Sequence, residues 1–154
     1  DNTTNNIPVG FSFFYKGQTY SNVRVSTNGW LSFTPNTTST AYGNDLTSAT
    51  APGLTLAPLW DDLVVTGNAA AGLTSSFKYA TTGSAPNRKF IAEWIGMEQY
   101  QHAGPNLNFQ VVLNETTGVI EYNYGVMEGF NGTVDKGYTY SIGSSMVTTC
   151  RDRV

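Results

Sequence analysis

The chain has 154 residues and a formal net charge of −3, from 8 Lys and Arg against 11 Asp and Glu, and its length suits one domain with a single hydrophobic core. Only 12% of the residues are charged, which excludes the basic surface that binding to a nucleic-acid backbone requires. No window approaches the roughly 18 consecutive apolar residues of a membrane span, so we expect no insertion into a membrane.

Alternation of apolar and polar residues recurs along the whole chain, whereas no window of a dozen residues keeps helical spacing. Short alternating runs separated by turn signals favour an all-β protein, an antiparallel β-sandwich of the jelly-roll type with little or no helix. Residues 1–143 are predicted to form this single domain and residues 144–154 an irregular tail. About nine strands are predicted, at residues 10–15, 22–27, 30–34, 54–60, 73–81, 89–97, 107–114, 119–124 and 137–143.

The segment RVSTNGWLSF, residues 24–33, predicts a β-hairpin. Asn28 and Gly29 are residues favoured in a two-residue type I′ turn, because both central positions of that turn have positive φ. Turn geometry and packing account for the motif, so we predict that it serves as scaffold. The apolar faces of the hairpin are supplied by Val23, Val25, Leu31 and Phe33.

Polar stretches without alternation are predicted to form loops at residues 35–52, 66–73, 100–106 and 129–137. Loops on a rigid frame often carry binding residues, so aromatic and polar side chains in or beside them are candidates for ligand contact. The candidates are Tyr42, Tyr100, His102, Asn106 and Phe130.

Three tryptophans, Trp30, Trp60 and Trp94, each lie within an alternating apolar run. We therefore predict that they pack in the core or the sheets. The alternative is an exposed row of indoles, which would serve as a platform for sugar rings.

The single cysteine, Cys150, excludes an intrachain disulfide, so packing alone must hold the fold. The polar residues are mostly Thr, Ser and Asn rather than charged residues, which is typical of a secreted or cell-surface protein. Because Asp1 opens a polar stretch, we expect the signal peptide to lie outside this chain.

Catalytic constellations are sparse. His102 is the single histidine, in a predicted exposed loop, and no nucleophile-elbow pattern lies near it, so a Ser-His-Asp triad is not expected. Neighbouring carboxylates on a regular strand point to opposite faces, and residues five apart do the same, so neither Asp61 with Asp62 nor Glu93 with Glu98 forms an acid–base pair. We expect no enzyme.

Asp61 and Asp62 form the only acidic doublet of the chain. At the end of a strand both carboxylates can reach one Ca²⁺, which takes roughly six to eight oxygen ligands. The alternative is a strand end at which both aspartates are solvated or bonded to the backbone. A calcium site at Asp61 and Asp62 therefore stays open at this point.

A resemblance to a known family is carried by five segments in order: GFSFFYKGQTYSNVRVSTNGWLSF, LAPLWDDL, NRKFIAEWIGM, LNFQVVLNETTGVIEYNYG and GYTYSIG. They resemble the nidogen-like extracellular module of secreted and surface proteins of bacteria, especially Bacteroidetes, over residues 7–143. The resemblance implies a β-sandwich accessory domain of a larger exported protein and no catalytic residues. It makes STNG (26–29) and WDDL (60–63) family positions, which implies a cation site or a shared structural corner. The cysteines of the animal members are missing here, so adhesion to a basement-membrane partner is not implied.

Together these observations predict a non-catalytic extracellular module that serves in binding, adhesion or spacing within a larger secreted or cell-surface protein. A glycan or a surface protein is the expected partner, and the oligomeric state is left open. One alternative is a carbohydrate-binding module, with Ca²⁺ as its cofactor. A second is a self-associating subunit of a surface assembly, in which an exposed edge strand accepts another chain. A third is a hydrolase that uses Asp61, Glu93 or Glu98.

Overall fold

A computed structural model describes residues 2–35, 40–48, 51–65, 74–100, 102–128 and 141–144. These residues form ten strands and no helix, and each of the nine predicted strands overlaps an observed one. The short β5 is the addition. The strands are β1 (Ile7–Tyr15), β2 (Gln18–Ser26), β3 (Trp30–Ser32), β4 (Thr55–Trp60), β5 (Leu63–Val64), β6 (Ser76–Thr82), β7 (Lys89–Gln99), β8 (His102–Asn114), β9 (Ile120–Glu128) and β10 (Ser141–Ser144).

The strands form two antiparallel sheets. The first has the order β1-β2-β3-β4-β10, and the second has the order β5-β7-β8-β9, with β6 also paired to β7. Consecutive strands are neighbours through most of both sheets, as short turns between alternating runs require. The predicted antiparallel β-sandwich is therefore confirmed.

The main core lies between the two sheets and is rich in aromatic residues. Phe13 of β1 stacks on Phe33 with ring centroids 5.7 Å apart, and Trp94 of β7 stacks on Phe109 of β8 at 5.0 Å. All four side chains are buried. Burial of each such side chain contributes about 2 kcal/mol to the free energy of folding. Packing of these aromatic residues therefore stabilises the fold.

Strand β4 is buried on both faces, because all six of its residues are buried. Leu56 and Leu59 belong to the main core, whereas Ala57 and Trp60 belong to a second cluster with Trp30. The partly buried residues that cover this second cluster are Ala41, Leu46 and Ala51. Three residues of the predicted loop 35–52 therefore pack on this cluster, while Tyr42, Gly43, Asp45 and Thr47 of the same loop are exposed.

Side-chain hydrogen bonds join the two sheets along both sides of the sandwich. On one side Thr81 Oγ1 donates to the carbonyl of Val9 at 2.6 Å, within an irregular stretch of β1 between Pro8 and Phe13. On the other side the hydroxyl of Tyr122 donates to the carbonyl of Gly143 at 2.7 Å. These bonds fix the relative position of the sheets.

The predicted tail begins inside β10, which ends at Ser144, and residues 145–154 lie outside the described residues. In the described part of the chain, no helix is long and apolar enough to cross a membrane.

Candidate functional site

The turn between β2 and β3 differs from the predicted type I′ turn. Ser26 pairs with Trp30, so the turn has three residues, and Gly29 has a φ of +77° while Asn28 has no positive φ. A three-residue turn that ends in a left-handed glycine is the next common hairpin geometry. The prediction was wrong because it used only local turn chemistry, whereas the side chain of Asn28 is turned into the protein.

Asn28 is fully buried and is hydrogen-bonded to other segments of the chain. Its side-chain Oδ1 accepts a hydrogen bond from the backbone N–H of Leu63 at 3.1 Å. Its backbone carbonyl accepts one from the backbone N–H of Asp61 at 3.3 Å. Its Nδ2 donates to the carbonyls of Thr40 at 3.2 Å and Ala41 at 3.4 Å. We call residues 26–30 and 60–63 the Asn28 corner, because this one side chain joins the segments STNG and WDDL to each other. Turn geometry and packing therefore do not account for every residue of the motif.

Gly29 lies against the backbone of β4. A Cβ atom built on this glycine would lie 1.8 Å from the carbonyl oxygen of Leu59, a distance that no side chain tolerates. The N–H of Leu59 also donates to the carbonyl of Gly29 at 3.4 Å. Glycine is required here both for the positive φ and for the close approach of the two strands.

The three tryptophans are fully buried, which confirms the prediction that they pack inside. Trp30 Nε1 and Trp60 Nε1 donate to the same acceptor, the carbonyl of Ala41, at 3.0 and 3.1 Å. Trp94 Nε1 donates to the carbonyl of Ser26 at 2.8 Å. Because these indoles are buried, they do not form a platform for sugar rings. Their hydrogen bonds instead hold the loop and the Asn28 corner against the sheets.

Asp61 is held by hydrogen bonds at the end of β4. Its Oδ1 accepts the N–H of Asp62 at 2.8 Å, and its Oδ2 accepts from Gln99 Nε2 at 2.6 Å. The backbone carbonyl of Asp62 in turn accepts the N–H of Tyr100 at 2.8 Å. Asp61 therefore ties the corner to the end of β7.

The carboxyl of Asp62 is half-buried beside Asp61. Burial, with a smaller contribution from the charge of Asp61, raises the pKa of Asp62 above its ordinary value. In the described residues no three His, Cys, Asp or Glu side chains lie close enough to hold a metal ion. Near Asp62, the side-chain oxygens Glu98 Oε1 and Gln99 Oε1 are buried and have no hydrogen-bond partner. Of the two readings of WDDL, this arrangement favours the structural corner.

Strand β7 contains a bulge that the sequence did not predict. Gly96 has a φ of +61°, and the register to β8 shifts between Trp94 and Met97. Trp94 and Met97 both face the core, so the bulge brings Glu93 and Glu98 to the same face of β7, where Glu98 is itself buried. They are still separated by about 15 Å at the rise of a strand, too far apart for an acid–base pair.

Of the five predicted ligand residues, Tyr42, Tyr100 and Asn106 have described side chains. Tyr42 and Tyr100 are 57% and 54% exposed. Asn106 is half-buried in β8, where its Oδ1 accepts from Asn108 Nδ2 at 2.7 Å. The predicted loop 100–106 was wrong, because β8 begins at His102, which pairs with Gln99 of β7. Phe130 lies outside the described residues, as does the side chain of His102.

Sequence reasoning missed the bonding roles of Asn28 and Gln99. The available signal was their place beside strongly apolar runs, where a polar side chain must find partners if it is buried. Both residues serve the corner rather than the exposed surface.

Comparison with known proteins gives one positive result. A family model described as NIDO related matches residues 1–151, nearly the whole chain. Neither the curated proteins nor the solved structures include a significant match.

Proposed function

Because this chain belongs to the NIDO-related family, whose members are extracellular in general, we propose that it is a non-catalytic extracellular binding module. Its partner is a secreted or surface protein, and the contact is made by exposed tyrosines next to the Asn28 corner. The module presents them from a rigid frame and carries out no chemistry on the partner.

The observation that supports this proposal is that two exposed aromatic side chains lie on backbone that hydrogen bonds hold in place. Tyr42 directly follows Ala41, whose carbonyl is bonded to two buried indoles. Tyr100 is fixed by its own N–H, which donates to the carbonyl of Asp62 at 2.8 Å. A backbone that is already ordered loses little entropy when a partner binds.

Tyrosine is well suited to such a surface. Its ring gives a large apolar contact area with few rotatable bonds, and its hydroxyl provides a hydrogen-bonding end. Tyrosine is accordingly enriched among the residues that dominate the energy of protein interfaces. Two exposed tyrosines beside one tied corner are therefore favourable anchors for a protein partner.

The acidic residues support a non-catalytic role. Both oxygens of Asp61 accept hydrogen bonds from within the protein. Glu93 and Glu98 are too far apart along β7 to act together on one bond. The carboxylate of Asp61 thus acts as a hydrogen-bond acceptor that stabilises the frame.

Binding of the purified protein to an array of immobilised extracellular and cell-surface proteins tests this proposal. We expect saturable binding to at least one of them with a Kd of about 10 μM or tighter. The affinity is expected to be the same in millimolar Ca²⁺ and in excess chelator, because the corner is held by hydrogen bonds. Failure of the folded protein to bind any member of the array would overturn the proposal.

A further inference from the structure

A groove with a volume of about 320 Å³ lies beside the first half of β2. Its walls are formed by residues 18–23 of β2, by Asn6, and by residues 33–35 and 54. The volume is at the lower end of the roughly 300–1,000 Å³ that small-molecule sites occupy. Neither Tyr42 nor Tyr100 lines this groove, so it is a different surface from the one proposed above.

The lining of the groove is polar but uncharged. Its polar side chains are amides and hydroxyls, and none of the lining residues is Asp, Glu, Lys or Arg: Asn6, Gln18, Thr19, Ser21, Asn22 and Thr34. Side-chain amides have both hydrogen-bond donors and acceptors, and each hydroxyl group can both donate and accept. The hydroxyls of a sugar also donate and accept, so they can pair with these groups. A charged ligand would find no opposite charge in the lining.

One aromatic ring completes this chemistry. Tyr20 is half-buried, its ring packs on that of Phe33 with centroids 5.1 Å apart, and its hydroxyl donates to Gln18 Oε1 at 3.2 Å. An aromatic side chain among amides suits the mixed polar and apolar surface of a sugar ring. We infer that the groove beside β2 binds a neutral saccharide.

Backbone strain in the wall of the groove is an independent observation. Leu54 has a φ of +50°, a left-handed conformation that is a genuine outlier for a bulky side chain. The surrounding structure enforces it: the carbonyl of Leu54 accepts the N–H of Phe33 at 3.2 Å, and the carbonyl of Gly53 accepts from Ser32 Oγ at 2.6 Å and Thr34 Oγ1 at 2.8 Å. Strained residues held in this way cluster at ligand sites, where they give the wall a fixed shape.

Calorimetric titration of the whole chain with neutral oligosaccharides tests the inference. The probes are cellotetraose, laminaritetraose, mannotriose and triacetylchitotriose, and we expect at least one of them to bind. Replacement of the exposed amide in Asn22→Ala is expected to weaken that binding about tenfold, as the loss of a hydrogen-bonding group does. Loss of the ring hydroxyl and aromatic face in Tyr20→Leu is expected to weaken it at least as much.

The matched control is Asn123→Ala, because Asn123 is an exposed amide on β9, away from the groove. It is expected to leave saccharide affinity unchanged. Asn22 is exposed, and the bond from its Nδ2 to Ser21 Oγ at 3.0 Å is local, so its variant keeps the inference testable if Tyr20→Leu fails to fold.

Two results would overturn the inference. Saccharide binding that is unchanged in Asn22→Ala would remove the groove as the site, and the absence of binding to all four probes by the folded wild type would remove the ligand class. The inference rests on the proposed role as a binding module but not on its tyrosine surface. Its failure would therefore leave the protein-array result standing, and the reverse also holds.

Discussion

The side-chain carbonyl of Asn28 accepts the backbone N–H of Leu63 at 3.1 Å, although the two residues are 35 positions apart in the chain. Both groups are buried, so water cannot replace either partner. The bond fixes the start of β5 against the turn between β2 and β3. Through it, the segments STNG and WDDL become one structural unit.

Asn28→Ala is expected to lower the free energy of unfolding by about 2–4 kcal/mol. The substitution leaves the N–H of Leu63 buried without its acceptor and removes the two donors of the side-chain amide. Urea unfolding of both proteins measures the difference. Asn22→Ala, on an exposed site of β2, is the control and is expected to change stability by less than about 0.5 kcal/mol. A loss below about 1 kcal/mol in Asn28→Ala would contradict the role given to this side chain.

Gly29→Ala is expected to destabilise the protein much more than Gly17→Ala. Both glycines have positive φ, of +77° and +83°, but no atom lies within 4 Å of a Cβ built on Gly17. Gly17→Ala therefore carries only the backbone strain, about 1 kcal/mol, whereas Gly29→Ala also forces β4 away and is expected to cost more than about 3 kcal/mol. Thermal and urea unfolding give the comparison, and equal losses would show that the contact with Leu59 is unimportant.

Much of the fold was predictable because one face of most strands is buried. A strand with one buried face has alternating apolar and polar residues, and this alternation predicted nine strands. Strand β5 was missed because Leu63 and Val64 are too few to show a period. The start of β8 was missed because Gly104 and Pro105 read as turn residues, although β8 runs from His102.

The corner was predictable only in part. The doublet Asp61–Asp62 and the turn Asn28-Gly29 were visible as motifs, but the bond between Asn28 and Leu63 depends on tertiary contact and leaves no local pattern. The same is true of the carbonyl of Ala41, which is bonded to two indoles from different strands. Buried polar contacts between distant segments could therefore not be predicted from the sequence.

The ion pair between Arg88 and Glu115 is expected to make stability depend on pH. Glu115 accepts from Arg88 Nε at 2.8 Å and from its backbone N–H at 3.0 Å, and the guanidinium lowers the pKa of Glu115 from 4.5 to about 2. The unfolded chain therefore takes up this proton first as the pH falls. The stabilisation is full above pH 4.5 and is lost between that pH and about 2.

Melting temperatures of wild type and Glu115→Gln between pH 2 and pH 6 check this dependence. Wild type is expected to melt higher at pH 6, and the difference is expected to shrink toward zero near pH 2. Glu121→Gln is the control, because the carboxylate of Glu121 lies 3.7 Å from Lys89 Nζ and its closer partner, at 2.7 Å, is the neutral amide of Asn114. A difference between wild type and Glu115→Gln that stays constant with pH would contradict the prediction.

Asp62→Asn is expected to raise the melting temperature at pH 7. The pKa of Asp62 is raised by burial and by Asp61, so its ionised form opposes folding once the pH exceeds the folded pKa. The gain is expected to disappear below the unfolded value of 3.8, where the carboxyl is protonated in both states.

Millimolar Ca²⁺ is expected to leave the wild-type melting temperature unchanged. A rise of several degrees with Ca²⁺ that vanishes in Asp61→Asn/Asp62→Asn would establish a metal site instead.

The most direct test of the proposed function is the affinity of the double variant Tyr42→Ser/Tyr100→Ser for a protein that wild type binds on the array. Both side chains are exposed, so the variant is expected to keep the wild-type melting temperature while its affinity falls at least about tenfold. Tyr79→Ser is the control, since Tyr79 is 53% exposed on β6, and it is expected to bind as wild type does. Unchanged affinity in the double variant would show that the partner contacts another surface.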